Sequence, residues 1–389
     1  MDILPLIGGS VCLLSHVLIF FLPIYWKYVV RPGRDKKLRL QWQAVSDKLD
    51  LTADLSGPSE TWTMRGVLAD CKVLIKNHDD GEGVVTLIEV QYPQRLAGLL
   101  QSIQPLSQPS LLKVLKTIVA PDVQVGVPSF DAQHRIYSTA PTLLQALFTD
   151  AGVSEWARAY SPMSQYNVPR LTKTGIQALR SYVRTDTHDH LEETLQESIS
   201  LITLFTDALD RFADTLAART GLTIVAEIPR NLPRNLPRFE GVRQGVAIDL
   251  RQPADGDGLQ LTATIPTPVT AALTIVAKEA DQAPASVDGV PMLDPILDAH
   301  VTVSTEEVEA ARALLRQDQT REDLMALMMT HPNARVMNGV VSLHVPTVDP
   351  DTVAAALDDM VSLASSLSAD RQEQPSAAGQ RAARAQTTS

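Results

Sequence analysis

Apolar residues run almost unbroken from Ile3 to Trp26, ILPLIGGSVCLLSHVLIFFLPIYW, and no charge interrupts them. A helix of this length measures about 36 Å at ~1.5 Å per residue, enough to cross the ~30 Å hydrocarbon core of a bilayer with some tilt. After it the pattern changes period. Leu38, Trp42, Val45 and Leu49 recur at helical spacing and predict an amphipathic helix over Lys37–Leu51. Thr63–Asn77 and Val84–Tyr92 are rich in β-branched and aromatic residues with partial alternation, and read as strands about a glycine-containing turn. A short leucine-rich helix fits Ser107–Pro121, a strand Gln133–Ser138 and a helix Pro141–Tyr160. Pro169–Thr172 and Ile176–Val183 form a hairpin about Lys173-Thr174-Gly175. From Leu191 to Leu216 an apolar stripe holds for about seven turns, and Gly221 ends that helix.

The pattern then begins again. Val242–Leu250 and Leu259–Ile265 restate the earlier strands. Phe130-Asp131-Ala132 returns as Leu297-Asp298-Ala299, Ala146-Leu147-Phe148 as Ala313-Leu314-Leu315, and Gly175-Ile176 as Gly339-Val340. A helix over Pro350–Leu367 closes the second series as His188–Arg219 closes the first. Landmarks in the same order at similar spacing predict an internal duplication. The fold class expected is α+β: an N-terminal transmembrane helix, then two tandem, duplicated units of mostly antiparallel sheet with helices packed on one face. The boundaries read from the pattern are an anchor over 1–30, a basic linker over 31–37, a first unit over 38–219, a second over 220–368 and a disordered tail over 369–389, where the apolar pattern ends.

Charge orients the anchor. Tyr25, Trp26 and Tyr28 suit the headgroup level, and Lys27, Arg31, Arg34, Lys36 and Lys37 follow as candidate headgroup contacts. The positive-inside rule puts the N-terminus outside an inner membrane and the bulk of the chain in the cytoplasm. A cleaved signal fits less well, since no basic residues precede the apolar run and no small-residue cleavage site follows it. Gly8, Cys12 and Ser15 fall on one helical face that a second helix could approach, and His16 is an ionisable group at membrane depth. The whole chain of 389 residues carries a net charge of −11, which argues against nucleic acid as a partner. Two cysteines, Cys12 in the anchor and Cys71 in a strand, fit a chain without disulfides.

Candidate chemistry is sparse. His78-Asp79-Asp80-Gly81-Glu82-Gly83 lacks the alternation of a calcium loop and reads as a hairpin turn. His188-Asp189-His190 has the wrong spacing for two ligands on one helical face, and fits a helix start instead. No phosphate loop, dinucleotide fingerprint, HExxH, CxxC or GxSxG is present. Asp131 and Asp298 are the acids at matched positions, readable either as general bases or, more simply, as turn and backbone-capping residues. The repeated tetrapeptide Asn231-Leu232-Pro233-Arg234, Asn235-Leu236-Pro237-Arg238 forms an extended basic loop, in which Arg230, Arg234 and Arg238 are candidate partner contacts. No catalytic residue, metal ligand or cofactor is assigned.

On the Phe130-Asp131 strand, the Gly175 hairpin and their second copies, the layout resembles uncharacterised bacterial single-pass membrane-anchored proteins with a cytoplasmic α+β region. The order of helix, three strands, helix, two strands and helix is also similar to small domains of bacterial secretion chaperones, a likeness of fold alone. The function expected is a membrane-tethered, non-enzymatic binding or scaffolding protein, held to the bilayer by its first helix and joined to a protein partner or to another copy of itself. The alternatives are a small-ligand sensor or enzyme with a site between the two units, and an accessory subunit of a membrane complex. Removing residues 1–30 should move the protein from the membrane pellet to the soluble fraction. Persistence in the pellet after a carbonate wash would contradict the anchor.

Overall fold

The computed structural model describes residues 31–79, 84–99, 102–105, 122–160, 170–172, 174–181, 187–225, 235–253, 257–268, 272–278 and 289–368. The expected transmembrane segment lies outside them, as do Gly8, Cys12, Ser15, His16, Lys27 and the tail. Among the described residues no helix is long and apolar enough to cross a membrane. The class is α+β with antiparallel sheets and, among the described residues, nine α-helices.

The first series of elements is α1 (Arg31–Lys48), β1 (Thr52–Asp54), β2 (Thr63–Leu68), β3 (Cys71–Asp79), β4 (Val84–Gln91), β5 (Ser102–Pro105), α2 (Pro128–Asp131), β6 (His134–Tyr137), α3 (Pro141–Phe148), α4 (Ala151–Ala159), β7 (Arg170–Leu171), β8 (Gly175–Ser181) and α5 (Thr187–Thr220). The second is β9 (Thr223–Val225), β10 (Arg238–Arg243), β11 (Val246–Arg251), β12 (Leu259–Thr264), β13 (Thr274–Ala277), α6 (Pro295–His300), β14 (Val301–Ser304), α7 (Val308–Leu315), α8 (Asp318–Thr330), β15 (Arg335–Met337), β16 (Val340–Val345) and α9 (Pro350–Ser366).

The two series correspond element by element. One sheet has the order β1-β2-β3-β4-β8-β7 and the other β9-β10-β11-β12-β16-β15-β13-β14. Register agrees as well. Ile75 faces Ile88, which faces Ala178, and in the same places Leu250 faces Leu261, which faces Leu343. The series differ at one point: β13 joins the large sheet through β15, whereas β5 and β6 form a two-stranded ribbon of their own. By contacts the chain divides into a compact unit of Met1–Pro93 with Pro162–Ile202 and another of Gln94–Ser161 with Thr203–Ser389. This is not a cut after residue 219. The ribbon and α2–α4 belong to the second compact unit.

Both series enter their sheets through the same joint. Two residues past the end of α1, Asp50 has a left-handed φ of 53°, and the Leu51 N–H donates to Ser46 O at 2.9 Å. Helix α5 ends at Gly221, with φ of 66°. The leucine that follows lies over a glycine of the neighbouring strand: Leu51 over Gly66, and Leu222 over Gly241. A Cβ at Gly66 would overlap Leu51 Cδ2, and one at Gly241 would lie 2.9 Å from Leu222 Cδ2.

Several expected boundaries move, each for a local reason. Thr63–Asn77 is two strands, because Ala69 and Asp70 both have positive φ and close a two-residue hairpin. Gln244 and Gly245 do the same between β10 and β11. Pro141–Tyr160 is two helices, because Asp150 caps the second by accepting from the N–H groups of Gly152 and Val153 at 3.0 and 3.3 Å. Helix α1 begins at Arg31, so Arg31, Arg34, Lys36 and Lys37 lie on a helix and not in a linker. Its stripe packs inward as expected: Trp42 and Val45 are buried, and Trp42 meets Trp62 edge-on at 5.9 Å.

A branched side chain at either glycine should force the leucine off its seat. Gly66→Val should cost about 2–3 kcal/mol and Gly241→Val about 1–3 kcal/mol, measured by urea unfolding. A neutral result at both would remove the joint from the account.

Candidate functional site

The candidate site is an open furrow in the second compact unit, of about 700 Å³, lined by Val125, Gln145, Leu147, Arg211, Phe212 and Val348 among others. Its first wall is the segment ahead of α2. Val123 N–H donates to Ile136 O at 2.9 Å, and Ile136 N–H donates to Asp122 Oδ1 at 2.9 Å. Asp131, at the end of α2, reaches back along this segment: Oδ1 accepts from Val125 N–H and Oδ2 from Gly126 N–H, both at 3.0 Å. Gly126 takes φ of 81° at the bend.

The second wall is α3 and the start of α4. Thr142 donates its hydroxyl to Asp257 Oδ1 at 2.7 Å, and Gln145 Nε2 donates to Gln124 O at 2.9 Å. Asp150 caps α4 with one oxygen and with the other meets Arg211 of α5, at 2.9 Å from both Nε and Nη2. The third wall is the start of α9, where Asp349 accepts from the Thr352 hydroxyl and N–H at 2.6 and 2.9 Å. Those two bonds, the hydroxyl's first, hold the Asp349 carboxyl below the ordinary carboxylate range. Each carboxylate of the lining is therefore already engaged, and Arg211 is paired. The furrow offers shape, the Phe212 ring and charged groups that are already paired.

The second series repeats the same bonds 167 positions on. Val290 N–H donates to Val303 O at 2.8 Å, as Val123 does to Ile136. Met292 N–H donates to Asp298 Oδ1 at 2.8 Å, as Val125 does to Asp131. Arg312 Nη2 donates to Pro291 O at 2.9 Å, as Gln145 does to Gln124. Leu293, with φ of 61°, stands where Gly126 does. The matched acids thus hold a bend in both places.

The other candidates fall as follows. Lys36 and Lys37 are exposed on α1. Arg230 and Arg234 lie outside the described residues. Arg238 lies in β10 and pairs with Glu240 at 2.6 Å and Asp249 at 2.7 Å, the Asp249 bond chiefly raising its basicity. It is therefore engaged within the sheet and not held out on a loop. Its tetrapeptide is buried at Asn235 and Leu236, whose N–H groups both donate to Gln252 Oε1, at 2.8 and 3.1 Å. Nothing in the spacing of Asn235 and Gln252 announces that network. Of the six-residue acidic turn, His78 and Asp79 end β3 opposite Val85 and Val84, and residues 80–83 lie outside the described residues. His188-Asp189-His190 opens α5. Cys71 is buried, and burial pushes its thiol pKa up, with Asp70 adding to the effect.

The fold and furrow define a two-series α+β protein, and comparison with protein families, curated proteins and solved structures finds no match. Asp131→Ala leaves two backbone donors without their acceptor and should cost about 2–3 kcal/mol, while Asp298→Ala removes one and should cost about 1–2 kcal/mol. Chemical unfolding of each variant checks this. Loss of function at unchanged stability would instead give these acids a chemical role.

Proposed function

We propose that the chain is a membrane-tethered binding or scaffolding protein that presents two copies of one α+β module to the cytoplasm and performs no reaction of its own. The observation that carries this reading is the use of the matched acids. Asp131 and Asp298 accept backbone N–H groups six residues upstream in both series. A duplicated catalytic unit would be expected to keep an acid uncommitted in at least one copy. The shared strand order, register and bend-holding bonds support descent of the two series from one duplicated unit. A binding module also suits the open furrow, whose charged side chains Asp150, Arg211 and Asp349 are already bonded within the chain. The basic first turns of α1 and the apolar run before them support tethering at an anionic membrane.

A second reading, a small-ligand sensor, draws on the furrow's size, which falls in the range of small-molecule sites. The accessory-subunit reading rests on the anchor face of Gly8, Cys12, Ser15 and His16. Affinity purification in mild detergent from the native host separates them, with a variant lacking residues 1–30 run beside the full chain. The proposal expects the same stoichiometric partner with both. Recovery that needs the anchor would favour the membrane-complex subunit. Absence of a partner with either would contradict the binding reading.

A further inference from the structure

The two series agree closely around α2 and α6, and at one core position the first has a titratable side chain where the second has none. At the first position of β6 the first series has His134, and at the first position of β14 the second has Val301. Both side chains are buried, His134 to 1 % exposure and Val301 to 3 %. His134 Nδ1 lies 3.0 Å from Phe130 O, one helical turn back. Nε2 is buried and has no hydrogen-bond partner among the described residues. The ring lies 4.4 Å from the Phe130 ring and 5.1 Å from that of Tyr160. Beyond them Phe148, Trp156 and Phe205 continue an aromatic wall.

The charged and titratable groups on the packed elements do not relieve this. On α2, Asp131 gives both oxygens to Val125 and Gly126. On β6, Arg135 is the next residue, and alternation sends it to the opposite side of the ribbon. On β5, the residue facing His134 is Pro105. After α4, Tyr160 brings a phenol, and α3 and α4 otherwise bring Phe148 and Trp156. No described carboxylate bonds to either ring nitrogen.

We infer that His134 makes the β5–β6 ribbon and the α2–α4 helices an acid-labile segment, closed while the imidazole is neutral and opened by its protonation. A proton on Nε2 would be a buried donor without an acceptor, carrying charge into an aromatic wall. Burial lowers the His134 pKa, against a weaker opposing effect of Phe130 O. Above the ordinary imidazole value of about 6.5, closed and open forms bind the same protons and stability is full. Below it the open form takes the proton first, so stability is lost as pH falls toward the lowered folded value. One proton taken up on opening means a rise in the opening constant of up to about tenfold per pH unit in that window. Val301 gives the matching part of the second series no such response.

Hydrogen exchange of the full chain in detergent, corrected for intrinsic rates between pH 7.5 and 5, reads this directly. Opening of residues 122–160 should steepen below about pH 6.5, and His134→Val should flatten it. A half-buried imidazole whose pKa burial also lowers, His331 at the end of α8 against Asp359, should keep its own contribution in residues 318–330 of that variant. A flat wild-type profile over 122–160, or an unchanged slope in the variant, would overturn the inference. If His134→Val does not fold, an NMR titration of the wild-type ring decides: a midpoint well below 6.5 supports the latch, and one at or above 6.5 overturns it.

Discussion

The structure depends on a leucine seated over a glycine at the end of a helix. Leu51 on Gly66 and Leu222 on Gly241 set how each helix hands the chain to its sheet. The left-handed residue before each leucine, Asp50 or Gly221, turns the backbone, and the absent Cβ lets the leucine approach. Beyond that joint β1 pairs with the first half of β2, and β9 with the first half of β10. The two-residue hairpins then carry the register across to β3 and β11, and through them to the rest of each sheet. A slip of one residue anywhere would turn Ile75, Ile88, Leu250 and Leu261 to the open face.

Around this shared frame the series diverge in chemistry while keeping geometry. Gln145 and Arg312 are different side chains that reach the same backbone carbonyl. Gly126 and Leu293 hold the same left-handed bend, although leucine adopts it at a cost and is 65 % exposed there. His134 and Val301 fill the same core position with opposite polarity. Structure has been kept at the carboxylates Asp131 and Asp298, which is where a repeated reaction would have needed them uncommitted. This contrast favours reading the repeats as surfaces carried on a common support.

Much of the fold was legible in the pattern. The long stripe of α5, the strands on either side of each turn and the paired landmarks Asp131 and Asp298 follow from periodicity and spacing alone. The break between α3 and α4 was hidden because apolar periodicity runs straight through Thr149-Asp150, and only the cap reveals it. The Ala69-Asp70 turn was hidden because neither residue is glycine or asparagine, the usual sign of such a turn. The furrow was not legible. It is built from segments far apart in sequence, and its residues carry no motif. Neither the buried Asn235–Gln252 network nor the orphaned nitrogen of His134 shows in composition, since each depends on which neighbours the fold supplies.

The most direct test of the account is the cross-strand register of the two first hairpins, read from Hα–Hα nuclear Overhauser effects in the full chain. Contacts are expected between Val67 and Lys72 and between Arg65 and Leu74, and in the second series between Val242 and Ala247 and between Glu240 and Asp249. These would place Gly66 and Gly241 at the same step of the same hairpin. A register shifted by one residue in either series would contradict the claim that one unit is built twice.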